Sequence, residues 1–269
     1  LTKDHPDILR KCIFSIMKNE DTEHTEIIVT DNGSSHKSAA VNRRLAEESG
    51  CIYRFDPSPF NYSLLCNEAA GVSSGKFLVF LNDDVVSYTP GAMRKMCRKA
   101  AEGHVGAVGI KLLYPDSEKI QHCGITLLES GPSHRLCGWD DTKIYAHGYN
   151  RHDIDVLAVT GACLCIQRDK FDAAGGFDTE LPVAYNDVDL CMRLYEKGLY
   201  NVCMNSMKMY HHESATRADD VSSRDRYDRL LSYRRYFENR HHELIEKGDP
   251  FDSINYTRTD YALRPGVSE

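Results

Sequence analysis

The stretch Lys76–Asp84, KFLVFLNDD, decides the fold of this chain. The uninterrupted apolar run Phe77–Leu81 is typical of a strand that is buried on both faces, and such strands belong to parallel sheets covered by helices. In open sheets of this kind, ligands bind at the carboxyl ends of the strands. The adjacent carboxylates of Asp83 and Asp84 directly follow the run, so a functional site is expected there.

The residues before this strand alternate between helical and strand patterns. Apolar residues recur at helical spacing from Ile8 to Met17, and residues 26–30 (EIIVT) are predicted to form a buried strand that ends at Asp31. Further segments are predicted as a helix at 37–50, a strand at 51–55 and a helix at 62–72. This order predicts an α/β protein with a mainly parallel sheet flanked by helices.

The second half begins with a helix that has Pro90 in its first turn and reaches Ala101, followed by a strand at 105–111. Residues 114–153 are rich in Gly, His, Asp and Tyr and show weak periodicity, which predicts an irregular excursion. The core is expected to resume with a strand at 156–167. The remaining predicted elements are a helix at 186–196 ended by Gly198, a strand at 201–212 and a basic, aromatic helix at 224–248.

Composition excludes several classes of protein. The 269 residues carry a formal net charge of -7, which argues against a nucleic-acid binder because such proteins have an excess of Lys and Arg. The ten cysteines lack CxxC pairs and metal-ligand spacing, so we expect reduced thiols in a cytoplasmic protein. The longest nearly apolar run, 156–166, is far below the roughly 20 residues of a membrane-spanning helix, and no signal peptide is expected.

Two adjacent carboxylates repel one another unless a cation or solvent offsets their charge. A divalent metal that bridges a diphosphate fits Asp83 and Asp84, and their oxygen ligands suit Mg²⁺ or Mn²⁺. His211, in the stretch YHHES, is a third candidate ligand from another strand end. The plainer interpretation of the Asp pair is a solvated turn or a helix cap, and that of His211 is a structural histidine.

Asp187 and Asp189 open a predicted helix, where their plain function is to complement the helix dipole. A carboxylate at a pocket mouth could instead remove a proton from an attacking hydroxyl. Asp187, at the very start of the helix, suits that task better than Asp189. In the loop DNGSS, Asp31 could accept hydrogen bonds from a base or ribose, although Asn-Gly is also a common plain turn.

The chain resembles the family 2 glycosyltransferases, which have the Rossmann-like GT-A fold. The resemblance covers nearly the whole length, through TKDHPDILRKCIFSI, EIIVTDNGSS, FNYSLLCNEAAGVSSGKFLVFLNDDVV, KIQHCGITL, VTGACLCIQRDKFDAAGGFD, AYNDVDLCMRL and YHHESATR. The tail DPFDSINYTRTDYALRP is similar to the ending of bacterial enzymes that build O-antigen and related surface polysaccharides.

The resemblance implies roles for particular residues. Asp31 would contact the nucleotide base, Asp83 the ribose, and Asp84 the metal that holds the diphosphate. His211 would complete the metal site, with His212 as the alternative, and Asp187 would be the general base. The nucleotide side would be lined by Thr2, Asn61 and Asn67, and Gly161 and Ala162 would lie under the sugar.

Together these expectations describe a metal-dependent, inverting glycosyltransferase. Residues 1–215 would form the GT-A domain, with a nucleotide-binding half at 1–110 and an acceptor-side half at 111–215, and residues 216–269 a C-terminal helical extension and tail. The enzyme would use Mn²⁺ or Mg²⁺, a UDP-sugar or dTDP-rhamnose, and a glycan or lipid-linked polysaccharide acceptor. It would act in the cytoplasm, with peripheral contact at the inner membrane face, and would not bind nucleic acid.

Two other functions use similar residues. A nucleotide-sugar hydrolase or nucleotidyltransferase would share the metal but would need no acceptor-side base. A non-catalytic carbohydrate- or partner-binding module would keep its binding after Asp84→Ala.

The sequence departs from the family pattern at two places. Family members begin with an apolar strand before the TKD-like loop, and here only Leu1 corresponds to it. The usual acidic pair at the base position is Asn186-Asp187, which leaves one carboxylate.

Overall fold

The computed structural model describes residues 1–145, 147–212, 224–252, 257 and 259. Its helices are α1 (Pro6–Asn19), α2 (His36–Glu48), α3 (Tyr62–Val72), α4 (Ala92–Ala100), α5 (Arg168–Ala174), α6 (Asn186–Glu196), α7 (Arg224–Arg240) and α8 (His242–Lys247). Its strands are β1 (Ile28–Asp31), β2 (Ile52–Phe55), β3 (Phe77–Leu81), β4 (Val85–Ser87), β5 (Val105–Leu113), β6 (Ile120–His122), β7 (Ile125–Leu128), β8 (Gly131–His134), β9 (Ile154–Val156), β10 (Cys163–Gln167) and β11 (Tyr200–His211). A short 3-10 turn, Thr22–His24, follows α1.

The main sheet has the order β3-β10-β5-β11-β4, with β6 added beside β5 and β9 beside β11. β5 and β11 are parallel, whereas β10 runs antiparallel to both β3 and β5, and β4 runs antiparallel to β11. The expected α/β sheet with flanking helices is confirmed, but its strand directions are mixed rather than mainly parallel. Burial on both faces shows that helices cover a strand and does not fix the direction in which the strand runs.

Two apolar clusters lie on opposite faces of this sheet. Along β10, Leu164 and Ile166 belong to the cluster under α3, α5 and α6, while Cys163 and Cys165 belong to the cluster under α1 and α4. This alternation follows from the two-residue period of a strand. The sheet is therefore buried from both sides, and its polar groups can reach a ligand only at the strand ends.

β1 and β2 form a separate two-stranded parallel sheet. Between β1 and β3 lies an apolar cavity of about 480 Å³. Its lining includes Leu9, Ile13, Ile16, Val29, Phe77 and Val79. Leu1 also lines this cavity. The next residue, Thr2, forms a parallel β-bridge with Asp31, the last residue of β1.

Several element boundaries differ from those expected. The segment 114–153 is not simply irregular, because it contains β6, β7 and β8, and β6 pairs with the central β5. The strand expected over 156–167 is divided into β9 and β10, and the helix expected over 224–248 is divided at His241. Pro90 precedes α4, whose N-cap is Gly91 in a left-handed conformation at φ 68°. α5 was not expected.

The C-terminal helices pack on the rest of the chain. Phe237 of α7 is fully buried in the cluster beneath α6 and stacks on Tyr185 at a ring distance of 5.0 Å. The division at 215/216 stays a prediction. Residues 213–223, which include the end of the YHHESATR segment, lie outside the described residues. So do residues 253–256, 258 and 260–269, which include most of the tail that resembles surface-polysaccharide enzymes. In the described part of the chain, no helix is both long and apolar enough to cross a membrane.

Candidate functional site

Asp83 and Asp84 lie in the turn between β3 and β4, at the strand end where the sequence predicted them. The register Leu81–Cys163 and the hydrogen bond from Asn82 N to Ala162 O (3.0 Å) place this turn beside the segment 160–162. Burial raises the pKa of Asp83, and the neighbouring negative charge of Asp84 raises it further. A positive charge near this turn would therefore be stabilising.

His211 lies directly beside Asp84. The antiparallel pairing of β4 and β11 opposes His211 to Val85, and His211 Nε2 is 3.0 Å from Asp84 Oδ1. His212 instead contributes its backbone N–H to Asp84 O at 2.9 Å. Of the two histidines, His211 is therefore the one whose ring meets the carboxylate.

The geometry of Asp84 and His211 fits a divalent cation. Two ligands that lie about 2.1 Å from a metal, at right angles in an octahedral shell, are about 3.0 Å apart, which is the distance between these two atoms. A carboxylate oxygen is an ordinary ligand for Mg²⁺ and Mn²⁺, and a neutral imidazole nitrogen is a common ligand for divalent metals in proteins. A second group of metal-type ligands, Asp21, Glu23 and His24, is exposed on the turn after α1.

Asp187 lies at the first turn of α6 and is only half-buried. Its Oδ2 accepts a hydrogen bond from Gly161 N (2.8 Å), and its Oδ1 accepts one from Val188 N (2.8 Å). Tyr62 of α3 donates to Gly161 O at 2.9 Å, so the backbone of Gly161 is held from both sides. A carboxylate offers about four acceptor positions, so Asp187 keeps unused lone pairs.

Asn186, which was expected to cap α6, is buried and accepts a hydrogen bond from Asp187 N at its Oδ1 (2.8 Å). The N-cap position is occupied by Tyr185 in a left-handed conformation at φ 65°. Asn186 thus supports the backbone at the position where relatives of this sequence are expected to carry a second carboxylate.

Asp189 has a structural environment that separates it from Asp187. Its carboxylate is fully buried and pairs with Arg193 (2.8 Å) and His241 (2.9 Å). Burial tends to raise the pKa of Asp189, but the hydrogen bond from His241 and the charge of Arg193 outweigh it and leave the pKa lowered. Asp189 therefore ties α6 to α8 and does not face a ligand.

Asp31 is at the end of β1 as predicted, but its side chain has no exposed surface. Its carboxylate accepts hydrogen bonds from Ser34 N, Asn42 Nδ2 and Tyr53 OH, each at 2.9 Å. These hydrogen bonds connect Asp31 to the loop DNGSS, to α2 and to β2. Because Asp31 has no exposed surface in this structure, a direct contact with a base would require the residues that cover it to move, and that role stays a prediction.

Thr2 pairs with the same end of β1. Its N–H donates to Thr30 O and its carbonyl accepts from Asn32 N, both at 2.9 Å. Thr2 is buried, with 4% of its surface exposed, and its role at a nucleotide stays a prediction.

Asn61 and Asn67 connect α3 to the segment after α5 through hydrogen bonds of their side chains. Asn61 caps α3 by accepting from Leu64 N (3.0 Å) and donates to Thr179 O (3.0 Å). Asn67 donates to Phe177 O (2.8 Å) and accepts from Phe177 N (2.9 Å). These contacts engage both amides with the chain itself, and the nucleotide contacts of Asn61 and Asn67 stay predictions.

Sequence reasoning missed two residues beside the site. Gln121 of β6 is buried, and its Oε1 lies 2.8 Å from His211 Nδ1. Tyr62 reaches Gly161 from α3. Both residues lie in stretches that carry the family resemblance, but Gln121 was assigned to no strand and Tyr62 only to a helix start, so no role was predicted for either.

Comparisons with known proteins agree with this arrangement. The family model for glycosyl transferase family 2 matches residues 2–172. The uncharacterized protein y4gI of Sinorhizobium fredii is 37% identical over 86% of the chain, and the O-antigen biosynthesis protein RfbC of Myxococcus xanthus is 32% identical over 97% of it. The chain spans 26% and 20% of the length of these curated relatives.

A solved structure shares the fold. The mannosyltransferase PcManGT from Pyrobaculum calidifontis, in complex with GDP-Man and Mn²⁺, has a TM-score of 0.63 and 13% identity, over 90% of this chain and 62% of that one. This likeness confirms the expected GT-A architecture. Because the family model covers more than half of the residues and two relatives above 30% identity align with most of the chain, the protein belongs to glycosyl transferase family 2.

Proposed function

We propose that this chain is a metal-dependent, inverting glycosyltransferase that moves a sugar from a nucleotide diphosphate to a glycan or lipid-linked polysaccharide. A UDP-sugar or dTDP-rhamnose is the proposed donor. The names of a relative in O-antigen biosynthesis and of a structural neighbour bound to GDP-Man and Mn²⁺ support this class of substrates and cofactor.

The observation that carries the proposal is the meeting of two chemically different groups at one end of the sheet. Asp84 and His211 form a pair suited to a cation, and Asp187 belongs to another element. The two are joined by a short hydrogen-bonded path, from Asn82 to Ala162 and from Gly161 to Asp187. A donor held at the first group would bring its sugar toward the second.

In this proposal Asp84 and His211 would hold Mn²⁺ or Mg²⁺, and Asp83 would contact the ribose. The ion, when bound, offsets the negative charge of the leaving nucleoside diphosphate. Asp187 accepts the proton of the acceptor hydroxyl as that oxygen attacks the anomeric carbon. The hydrogen bonds from Gly161 N and Val188 N fix the direction of the carboxylate, so that its unused lone pairs face the acceptor.

A lipid-linked acceptor would place the enzyme in the cytoplasm, in peripheral contact with the inner face of the membrane through that lipid. Residues 1–110 would bind the nucleotide, residues 111–215 the acceptor, and the helices after 216 would support α6. The buried contact of His241 with Asp189 supports the last of these assignments.

Calorimetric titration with UDP, dTDP and GDP, with and without Mn²⁺, tests the donor site. We expect one nucleotide to bind in a Mn²⁺-dependent manner, and Asp84→Asn to abolish that binding. Asp187→Asn should retain binding, and the exposed control Asp169→Asn should behave as the wild type. Turnover of the matching nucleotide sugar, followed by NMR of the product's anomeric centre, then tests inversion. Metal-independent binding of every nucleotide would contradict the proposal, as would a retained anomeric configuration.

A further inference from the structure

His211 has a second partner besides Asp84. Its Nδ1 lies 2.8 Å from Oε1 of Gln121, while its Nε2 lies 3.0 Å from Asp84 Oδ1. An amide oxygen is only an acceptor, so Nδ1 must carry the proton of this hydrogen bond. In the neutral ring with this proton, Nε2 carries the lone pair that a cation beside Asp84 would bind.

The position of Gln121 is fixed by its strand. β6 pairs with β5 through His122–Leu112 and Ile120–Leu113, and both Ile120 and His122 are fully buried. Gln121 itself is 5% exposed, so water does not compete freely for its amide. The amide oxygen therefore acts on His211 as a rigid and directional acceptor.

We propose that Gln121 is a positioning residue, which holds His211 with its proton on Nδ1 and its Nε2 lone pair toward the metal. This inference rests on the metal site of the proposed function. Groups that accept the second N–H of a ligating histidine orient the ring and raise its strength as a ligand, and their loss typically weakens metal binding by about 10–100-fold.

Mn²⁺ binding by three variants tests the role of Gln121. Gln121→Met has similar length without the acceptor, Gln121→Glu restores an acceptor, and Gln167→Met makes the same change at the other end of the main sheet. EPR of free Mn²⁺ gives the Kd, and electron spin-echo modulation by ¹⁴N reports whether a histidine nitrogen is bound to the ion.

We expect Gln121→Met to raise the Kd for Mn²⁺ by about 10–100-fold and to weaken the ¹⁴N modulation. Gln121→Glu should stay within about threefold of the wild type, because its carboxylate accepts the same N–H, and Gln167→Met should match the wild type. A general packing defect would not be rescued by Glu.

Wild-type Kd and ¹⁴N modulation in Gln121→Met would overturn the positioning role. The same is true of a loss of Mn²⁺ binding in a folded Gln121→Glu variant, which remains informative if Gln121→Met does not fold. In either case the proposed function would stand, provided that Asp84→Asn still loses Mn²⁺. Absence of Mn²⁺ binding and of ¹⁴N modulation in the wild type itself would overturn both the inference and the metal site.

Discussion

An apolar extension ahead of Leu1 is expected to stabilise the protein by filling the cavity between β1 and β3. Thr2 already pairs with Asp31, and its N–H donates to Thr30 O. Continuing this parallel register backwards places three added residues opposite Val29, Ile28 and Ile27. The walls there are apolar on both sides, so a designed Val-Ile-Val extension suits the cavity.

The magnitude follows from opposing contributions. Burying three branched side chains contributes about 2 kcal/mol each, or about 6 kcal/mol. About three new backbone hydrogen bonds to β1 add about 1 kcal/mol each, and ordering three residues costs about 1.5 kcal/mol each. The net gain is about 4.5 kcal/mol. For a chain of this size that corresponds to a rise in Tm of about 9–18 °C.

Thermal unfolding followed by circular dichroism measures this effect. A Ser-Gly-Ser extension controls for length, and a Val-Pro-Val extension removes the central N–H donor while it retains apolar character. The reasoning is refuted if the Tm with Val-Ile-Val equals the Tm with Ser-Gly-Ser. Size-exclusion chromatography must show the same oligomeric state for all variants, because association through an apolar terminus would also raise the Tm.

Three further outcomes are expected. Asp187→Asn should lower the rate of sugar transfer by about 10²–10⁴-fold, because the amide cannot accept the proton; unchanged turnover would exclude Asp187 as the base. Gly161→Ala would bring its Cβ to 3.1 Å from the Tyr62 hydroxyl and should slow transfer by about tenfold or more by displacing the loop. Gly71→Ala, which has open space around it, should leave the rate unchanged. Equal rates for the two variants would contradict this role of Gly161. Asp189→Asn should destabilise the fold by about 3–5 kcal/mol in urea unfolding at neutral pH. The pKa of Asp189 is lowered in the folded state, so its stabilising contribution is present above about pH 4 and is lost as the pH falls through the folded pKa. The free energies of unfolding of the wild type and the variant should therefore converge in acid. A difference that stays constant with pH would refute this pairing.

The sequence predicted most of the elements that bear the site. Apolar runs located β1 and β3, and the rule that ligands bind at the carboxyl ends of strands selected Asp31, Asp83 and Asp84. The strand positions were predictable because burial and periodicity are local properties of the sequence, whereas the roles of the three carboxylates stay predictions.

Properties that depend on tertiary packing were not predictable in the same way. The direction of β10 was missed because an apolar run indicates burial and does not fix strand direction. β6 was missed because its segment is weakly periodic. The same limitation concealed Gln121, which meets His211 only across the sheet. The hydrogen bonds of Asn61 and Asn67 to backbone groups more than 100 positions away were not predicted either, because such contacts depend on the tertiary fold.

The buried pairing of Arg135 bears on how far the chain can be shortened. Its guanidinium is fully buried and binds Asp249 (3.3 Å) and Asp252 (3.0 Å), which follow α8. Ending the polypeptide at residue 215 would leave this cation without either carboxylate and would also remove Phe237 from the core. We therefore expect a chain that ends at residue 215 to be strongly destabilised, because the contacts of Asp249, Asp252 and Phe237 with the rest of the protein would be lost.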